Sequence, residues 1–158
     1  MLNIMKIFMV QHGEARTKEE YPDRPLSDIG VYQVKKIAGW LSKKEGLEIN
    51  ELLHSGKNRA EQTAEILAGA FKPPMGINRT DDMNPGDNPK IWADRLNKTE
   101  KNIMLVGHLP HLGKLASHLL TGSMEKEIIQ FKNAGIVCLN RNESGAWSIE
   151  WMIIPEIV

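Results

Sequence analysis

Two histidines and one arginine stand where they could work on a phosphoryl group. His12 directly follows an apolar run and precedes Gly13, Arg59 opens a stretch of helix-forming residues, and His108 follows a second apolar run just before Leu109-Pro110. A neutral imidazole can attack phosphorus and give a phosphohistidine that water then hydrolyses, which divides one difficult displacement into two easier ones. His12 is the best-placed nucleophile. Gly13 lets the backbone pass close to an anion, and an acceptor on one ring nitrogen would leave the other free to attack. Arg59 offers a planar fork that matches two phosphate oxygens, and a helix N-terminus there adds oriented N–H donors. His108, as a cation, would donate to an equatorial oxygen as charge builds on it.

Each residue taken alone has a plainer reading. A histidine at a strand end is commonly structural, an arginine on a helix is commonly solvated, and a histidine before a proline-started helix can be a cap. His54 and His118 are read as structural or surface residues. A metal reading would group His108, His111 and His118, but no carboxylate or cysteine stands at a recognised ligand spacing beside them, so no metal is implied. No cofactor is implied either. The case for chemistry rests on the elements that bring His12, Arg59 and His108 together.

Residues 4–10, IMKIFMV, read as a buried strand that ends at Gln11-His12-Gly13. A polar loop follows to Pro25. Ser27 is then the N-cap of a helix in which Val31, Val34, Ile37, Ala38 and Leu41 recur at helical spacing, and Gly46 closes it. Leu52 to His54 form a second short strand that stops at Ser55-Gly56, and residues 59–71 form a helix with Thr63, Ile66, Leu67 and Ala70 on one face. A third strand is expected near residues 75–79, a short helix over 90–97, and a fourth strand over 103–106 that ends at Gly107-His108. Pro110 then begins a helix that runs to Gly122. The remainder reads as strands at 128–131, 135–139 and 147–154, with a turn over 142–145.

Strands alternating with helices imply an α/β fold, a mainly parallel sheet flanked by helices on both faces with an antiparallel addition near the C-terminus. Ligands of such sheets bind outside the carboxyl ends of the strands. His12, the turn from Ser55 to Arg59, and His108 all follow strand ends of this kind.

The chain has 158 residues, 41% of them hydrophobic, which suits a single domain spanning 1–158. Twenty basic and twenty acidic residues balance. Neither nucleic acid nor a membrane surface is implied as a partner, and any basic site must be local. No apolar run approaches the roughly 20 residues of a membrane span, and the expectation is a cytoplasmic protein. Cys138 is the single cysteine, which leaves no intrachain disulfide to form.

Four separated segments carry a family resemblance. They are Gln11-His12-Gly13-Glu14-Ala15, Arg24-Pro25-Leu26-Ser27 with Gly30, Ser55 through Arg59-Ala60-Glu61-Gln62-Thr63, and Gly107-His108-Leu109-Pro110. In this order they resemble the histidine phosphatase superfamily, with its phosphoglycerate mutase-like fold, and look most like its SixA-type phosphohistidine phosphatases. The resemblance implies His12 as nucleophile, Arg59 and His108 as phosphate-holding groups and Arg24 as an additional pocket arginine, with Gln11 and Gly13 beside the anion. Asp82, next to Asp81, falls in the region where related phosphatases carry a leaving-group acid.

One position departs from the family: Gln11 stands where arginine precedes the nucleophilic histidine. A neutral amide donor contributes about 0.5 to 1.5 kcal/mol against about 1.5 to 3 for a charge-assisted bond. Lys57, Arg16 and Arg24 are the candidates to replace the lost charge. Three functions follow: a phosphatase acting on phosphohistidine in a phosphorelay protein such as a histidine phosphotransfer domain, a phosphatase of small phosphoesters, and a weakly active or inactive phosphate-binding module. The short stretch between Arg59 and His108 leaves little room for a cap, so an open site and a protein substrate are expected. Gln11→Arg is expected to raise kcat toward p-nitrophenyl phosphate, by as much as on the order of 10² to 10³ if the missing donor acts mainly in the transition state. Equal or lower activity in a folded Gln11→Arg protein counts against that role.

Overall fold

The computed structural model describes residues 4–158 and contains one six-stranded sheet. Along the chain the elements are β1 (Met5–Gln11), α1 (Asp28–Lys43), β2 (Glu51–His54), α2 (Asn58–Phe71), β3 (Ile77–Arg79), α3 (Pro89–Leu96), β4 (Ile103–Gly107), α4 (His111–Thr121), β5 (Ile136–Arg141) and β6 (Trp147–Ile153), with a final 3-10 turn at Pro155–Ile157. The strand order is β3-β2-β4-β1-β5-β6. The first four strands are parallel, whereas β5 runs antiparallel to β1 and β6 antiparallel to β5.

Side chains alternate across each strand, and both sides of this sheet are covered. Met5, Ile7 and Met9 of β1 and Ile103 and Leu105 of β4 face α3 and α4, where Trp92, Leu96, Leu112 and Leu115 close the layer. Phe8, Val10, Met104 and Val106 face α1 and α2, meeting Val34, Ile37, Ala64 and Leu67. Because both faces are apolar, β4 is a continuous buried run rather than an alternating one. Ser27 caps α1 by accepting the Gly30 N–H at 3.0 Å, and Asn88 caps α3 by accepting from Lys90 at 3.0 Å.

One expected strand is absent. Residues 128–131 show the anticipated alternation, with Ile129 and Phe131 buried and Ile128 exposed, yet they are irregular and join no ladder. Ile129 and Phe131 pack instead into the layer formed with α3 and α4. The Ile128 N–H goes to the Ser117 hydroxyl of α4, at 3.2 Å. Period-two burial reports which side chains face the core, and not whether the backbone joins a ladder.

The loop after β1 is pressed onto α1 by two glycines. A Cβ at Gly30 would lie 2.0 Å from the Glu14 carbonyl oxygen, and one at Gly13 would lie 2.8 Å from Val34 Cγ2. Glu14 is further tied down because its carbonyl accepts the Ser27 N–H at 2.9 Å. Gly30→Ala must therefore move backbone, not a flexible side chain. It is expected to lower stability by about 1 to 3 kcal/mol in denaturant unfolding and to reduce activity through the displaced His12 loop. A variant as stable and active as the parent would show that the contact yields freely.

Candidate active site

His12, Arg59 and His108 converge at the carboxyl end of the sheet. The strands that deliver them, β1, β2 and β4, are neighbours in the order β2-β4-β1. The β1–β4 register sets Gln11 opposite Gly107, so the residue following each is an imidazole. The ring centroids of His12 and His108 are 5.0 Å apart. Arg59, in the first turn of α2, reaches across so that its Nε lies 3.3 Å from His12 Nε2.

The partners of His12 determine its proton. Nδ1 lies 2.6 Å from the Gly13 carbonyl, which can only accept, so Nδ1 carries the hydrogen. Arg59 Nε–H can only donate, so Nε2 is the unprotonated atom. Both ends specify the neutral tautomer whose free lone pair a nucleophile needs. Burial, followed by the charges of Arg59 and Arg24 against the opposing Gly13 bond, lowers the His12 pKa to about 4.

His108 is buried more deeply, and its Nε2 lies 2.6 Å from the Ser55 hydroxyl. Ser55 Oγ also accepts the Lys57 N–H at 3.3 Å. His108 Nδ1 is buried with no hydrogen-bond partner. Burial first, then the His12, Arg59, Lys57 and His111 charges, push its pKa down to about 3. Burial and the nearby Arg59 and Lys57 cations thus favour the neutral imidazole of His108 in the free protein. Any positive charge on it must arrive together with an anion.

The backbone of His12 is held from several sides. His12 N–H donates to Gly107 O at 3.1 Å, and its carbonyl accepts from Asn133 Nδ2 at 3.0 Å. Gly13 N–H donates to the Thr63 hydroxyl at 3.0 Å, and that hydroxyl donates to the Arg59 carbonyl at 2.7 Å. Gln62 Oε1 accepts the Leu26 N–H at 2.7 Å, which anchors the loop carrying Arg24. Arg24 takes a left-handed φ of 44° and donates to the Arg16 carbonyl at 3.2 Å, with its charge felt by both His12 and Arg59.

Ser55, Gln62, Thr63 and Asn133 are positioning residues that sequence reasoning did not single out by role. The spacing of Arg59, Gln62 and Thr63 on one helix carried a signal for two of them. Asn133 carried none, since it meets His12 only through the fold.

Other expected residues are placed differently. Gln11 follows the buried part of β1, and its Oε1 is buried without a partner. Of the candidates to offset its missing charge, Arg24 acts on His12 and Lys57 on His108, whereas Arg16 pairs with Asp28 at 3.5 Å and lies over the Tyr21 ring. Asp82, at a left-handed φ of 66°, has its carboxylate bound to Arg95 of α3 at 2.8 Å. Among the described residues no hydrogen bond or ion pair joins Asp81 or Asp82 to His12, Arg59 or His108. His54 accepts the Gly56 N–H and shapes the turn after β2.

A family model for the histidine phosphatase superfamily (branch 1) matches residues 7–86, the region that holds His12 and Arg59. The chain belongs to this superfamily. It is 26% identical over 156 residues to the phosphohistidine phosphatase SixA of Escherichia coli K12, covering 96% of this chain and 94% of SixA. It is 32% identical to an uncharacterised protein of a Picosynechococcus strain, over 92% of this chain and 89% of that one. Among solved structures, that of the protein histidine phosphatase SixA complexed with tungstate superimposes with a TM-score of 0.84 at 25% identity, covering 97% of this chain and 99% of that one. The mixed sheet with helices on both faces is thus the histidine phosphatase fold, and the chain is a phosphatase of the hydrolase class.

The two lowered pKa values fix a sign. A histidine depressed in the folded protein stays neutral as pH falls through 6.5 and takes up its proton only near the lowered value, and stability declines across that window because the unfolded chain binds the proton first. In ligand-free protein, the imidazole C–H resonances of His12 and His108 are expected to show no titration between about pH 5 and 8. Inorganic phosphate should draw at least one transition upward by neutralising the surrounding cations. A midpoint near 6.5 for either ring without phosphate would refute the electrostatic account.

Proposed function

We propose that this chain removes the phosphoryl group from phosphohistidine on a cytoplasmic phosphorelay protein, a histidine phosphotransfer domain being the type of substrate that fits, through a covalent phosphohistidine at His12. The observation that carries the reading is the forced tautomer of His12, hydrogen-bonded through Nδ1 to Gly13 and offering Nε2 beside Arg59 and His108. Likeness to SixA over nearly its whole length supports the same chemistry, as does the tungstate complex of the SixA structure.

In this scheme the incoming phosphoryl oxygens take the donors of Arg59, which releases Nε2. Its lone pair forms the new N–P bond while the P–N bond to the substrate imidazole breaks. The leaving imidazole receives its proton from solvent, since Asp82 is engaged by Arg95. Water then attacks phosphorus, giving inorganic phosphate and restoring neutral His12. Arg24 and Arg59 hold the equatorial oxygens, and as the dianion enters, His108 gains the proton that the empty site denies it. The stretch between Arg59 and His108 is consumed by α2, β3, α3 and β4, which supports a site accessible to a protein surface.

A second reading, weak turnover with retained phosphate binding, is favoured by Gln11, whose neutral side chain leaves its oxygen unpartnered. One experiment separates the two. Rapid acid-free quench of the reaction with a phosphohistidine protein, followed by mass spectrometry, is expected to find phosphate on His12, and His12→Ala should lose at least about 10³ of the activity. Asp82→Asn should stay within about tenfold of the parent, as a residue outside proton transfer does. Phosphate retained on the substrate, with no labelled His12 and an inert His12→Ala comparison, would leave only binding.

A further inference from the structure

Beside the imidazoles lies a groove of about 370 Å³ whose walls carry Lys18, Arg24, Lys57 and Arg59 against a single carboxylate, Asp23. The chain as a whole has as many acidic as basic residues, so this local excess is not a reflection of composition. Among the described residues, the ion pairs involve Lys6, Arg16, Lys90 and Arg95, and none of the four groove cations has a carboxylate partner.

Such an arrangement costs the empty protein stability. Like charges repel across the groove, and Lys57 stands at the N-terminal end of α2, where the helix dipole disfavours a cation and no side chain caps the helix. Asn58 and Arg59 follow it directly, so the positive end of the helix faces the same space.

Neither His12 nor His108 lines the groove. Arg24 and Arg59 form the wall it shares with the reacting centre, since their charges reach His12. When a phosphoryl group occupies the forks of those arginines, Lys18 and Lys57 remain for a second anion attached to the same substrate. Lys18 sits on an exposed turn that lines the groove. Two amine cations besides the arginine forks, neither paired with a carboxylate among the described residues, match carboxylate side chains flanking a phosphorylated residue of a polypeptide.

We propose that this groove is a docking subsite for acidic side chains that flank the phosphohistidine of a protein substrate, with Lys18 and Lys57 as the residues that set the preference. This rests on the phosphohistidine phosphatase reading and names a property that reading leaves open, the charge of the surface around the target residue.

The test compares two phosphohistidine peptides of equal length, one with Asp and Glu beside the phosphorylated residue and one with Ser and Ala. Their kcat/KM ratio within one protein removes any general change in the chemistry. The acidic peptide is expected to be favoured about fivefold or more, the factor that two exposed ion pairs supply together, mainly through KM. Added salt should erode the preference. The ratio should fall to near one in the Lys18→Glu, Lys57→Glu double variant. Equal use of the two peptides by the parent protein overturns the proposal, as does a preference that survives charge reversal.

If neither peptide is hydrolysed while p-nitrophenyl phosphate is, the phosphohistidine reading has failed and docking is tested on its own. An unphosphorylated acidic peptide should then inhibit p-nitrophenyl phosphate turnover, and the double variant should escape that inhibition. Absence of inhibition of the parent, or stronger inhibition by a small bisphosphate than by the peptide, overturns the assignment to a polypeptide.

Discussion

Parallel pairing of β1 with β4, in the register that sets Gln11 against Gly107, is the constraint from which the site follows. Both strands are buried on both faces, and a slip by one residue would exchange Met9 and Val10 between two differently shaped cores. Register is therefore enforced by apolar packing far from the chemistry. Its consequence is that two imidazoles leave adjacent strands at the same level, and the His12 N–H closes onto Gly107 O as the last rung. A phosphoryl group needs groups on several sides at once, and the sheet supplies them from neighbouring strand ends.

The second contribution comes from α2. Arg59, Gln62 and Thr63 occupy one side of its first turns, and each reaches a different part of the site: the nucleophile, the Arg24 loop and the Gly13 backbone. A single helix thus couples Arg59 to the loop that follows His12. Gly30 completes the frame from α1 by allowing the Glu14 backbone to approach closer than any Cβ would permit. The result is a histidine whose orientation is decided before any substrate arrives, which is the condition for preorganised catalysis.

Electrostatically the site gathers positive charge around two imidazoles whose pKa values are lowered. Burial and arginine charge act in the same direction on His12 and His108, favouring the neutral form of both imidazoles. Gln11 contributes no charge beside His12, while Arg24 acts on His12 and Lys57 on His108. The surrounding groove extends that field outward, so attraction of an anion and activation of His12 share one physical origin.

Most elements were legible in the sequence because hydrophobic periodicity, the Ser27 cap and the Gly122 stop report local physics. The strand ends then located His12, Arg59 and His108 without coordinates, since residues after buried strands in an α/β sheet face a common side. Residues 128–131 were misread because alternation records burial, and only the tertiary structure shows that Ile129 and Phe131 are buried against helices and not in a ladder. The lowered pKa of His108 was also out of reach, for it depends on depth and on the Arg59 and Lys57 charges that the start of α2 brings beside it. Asn133 and Ser55 belong with it: their contacts to His12 and His108 join positions far apart in the chain. What local chain chemistry dictates, the amino-acid sequence determined alone; proton states and second-layer hydrogen bonds were decided by folding, because desolvation and through-space charge exist only once distant segments meet.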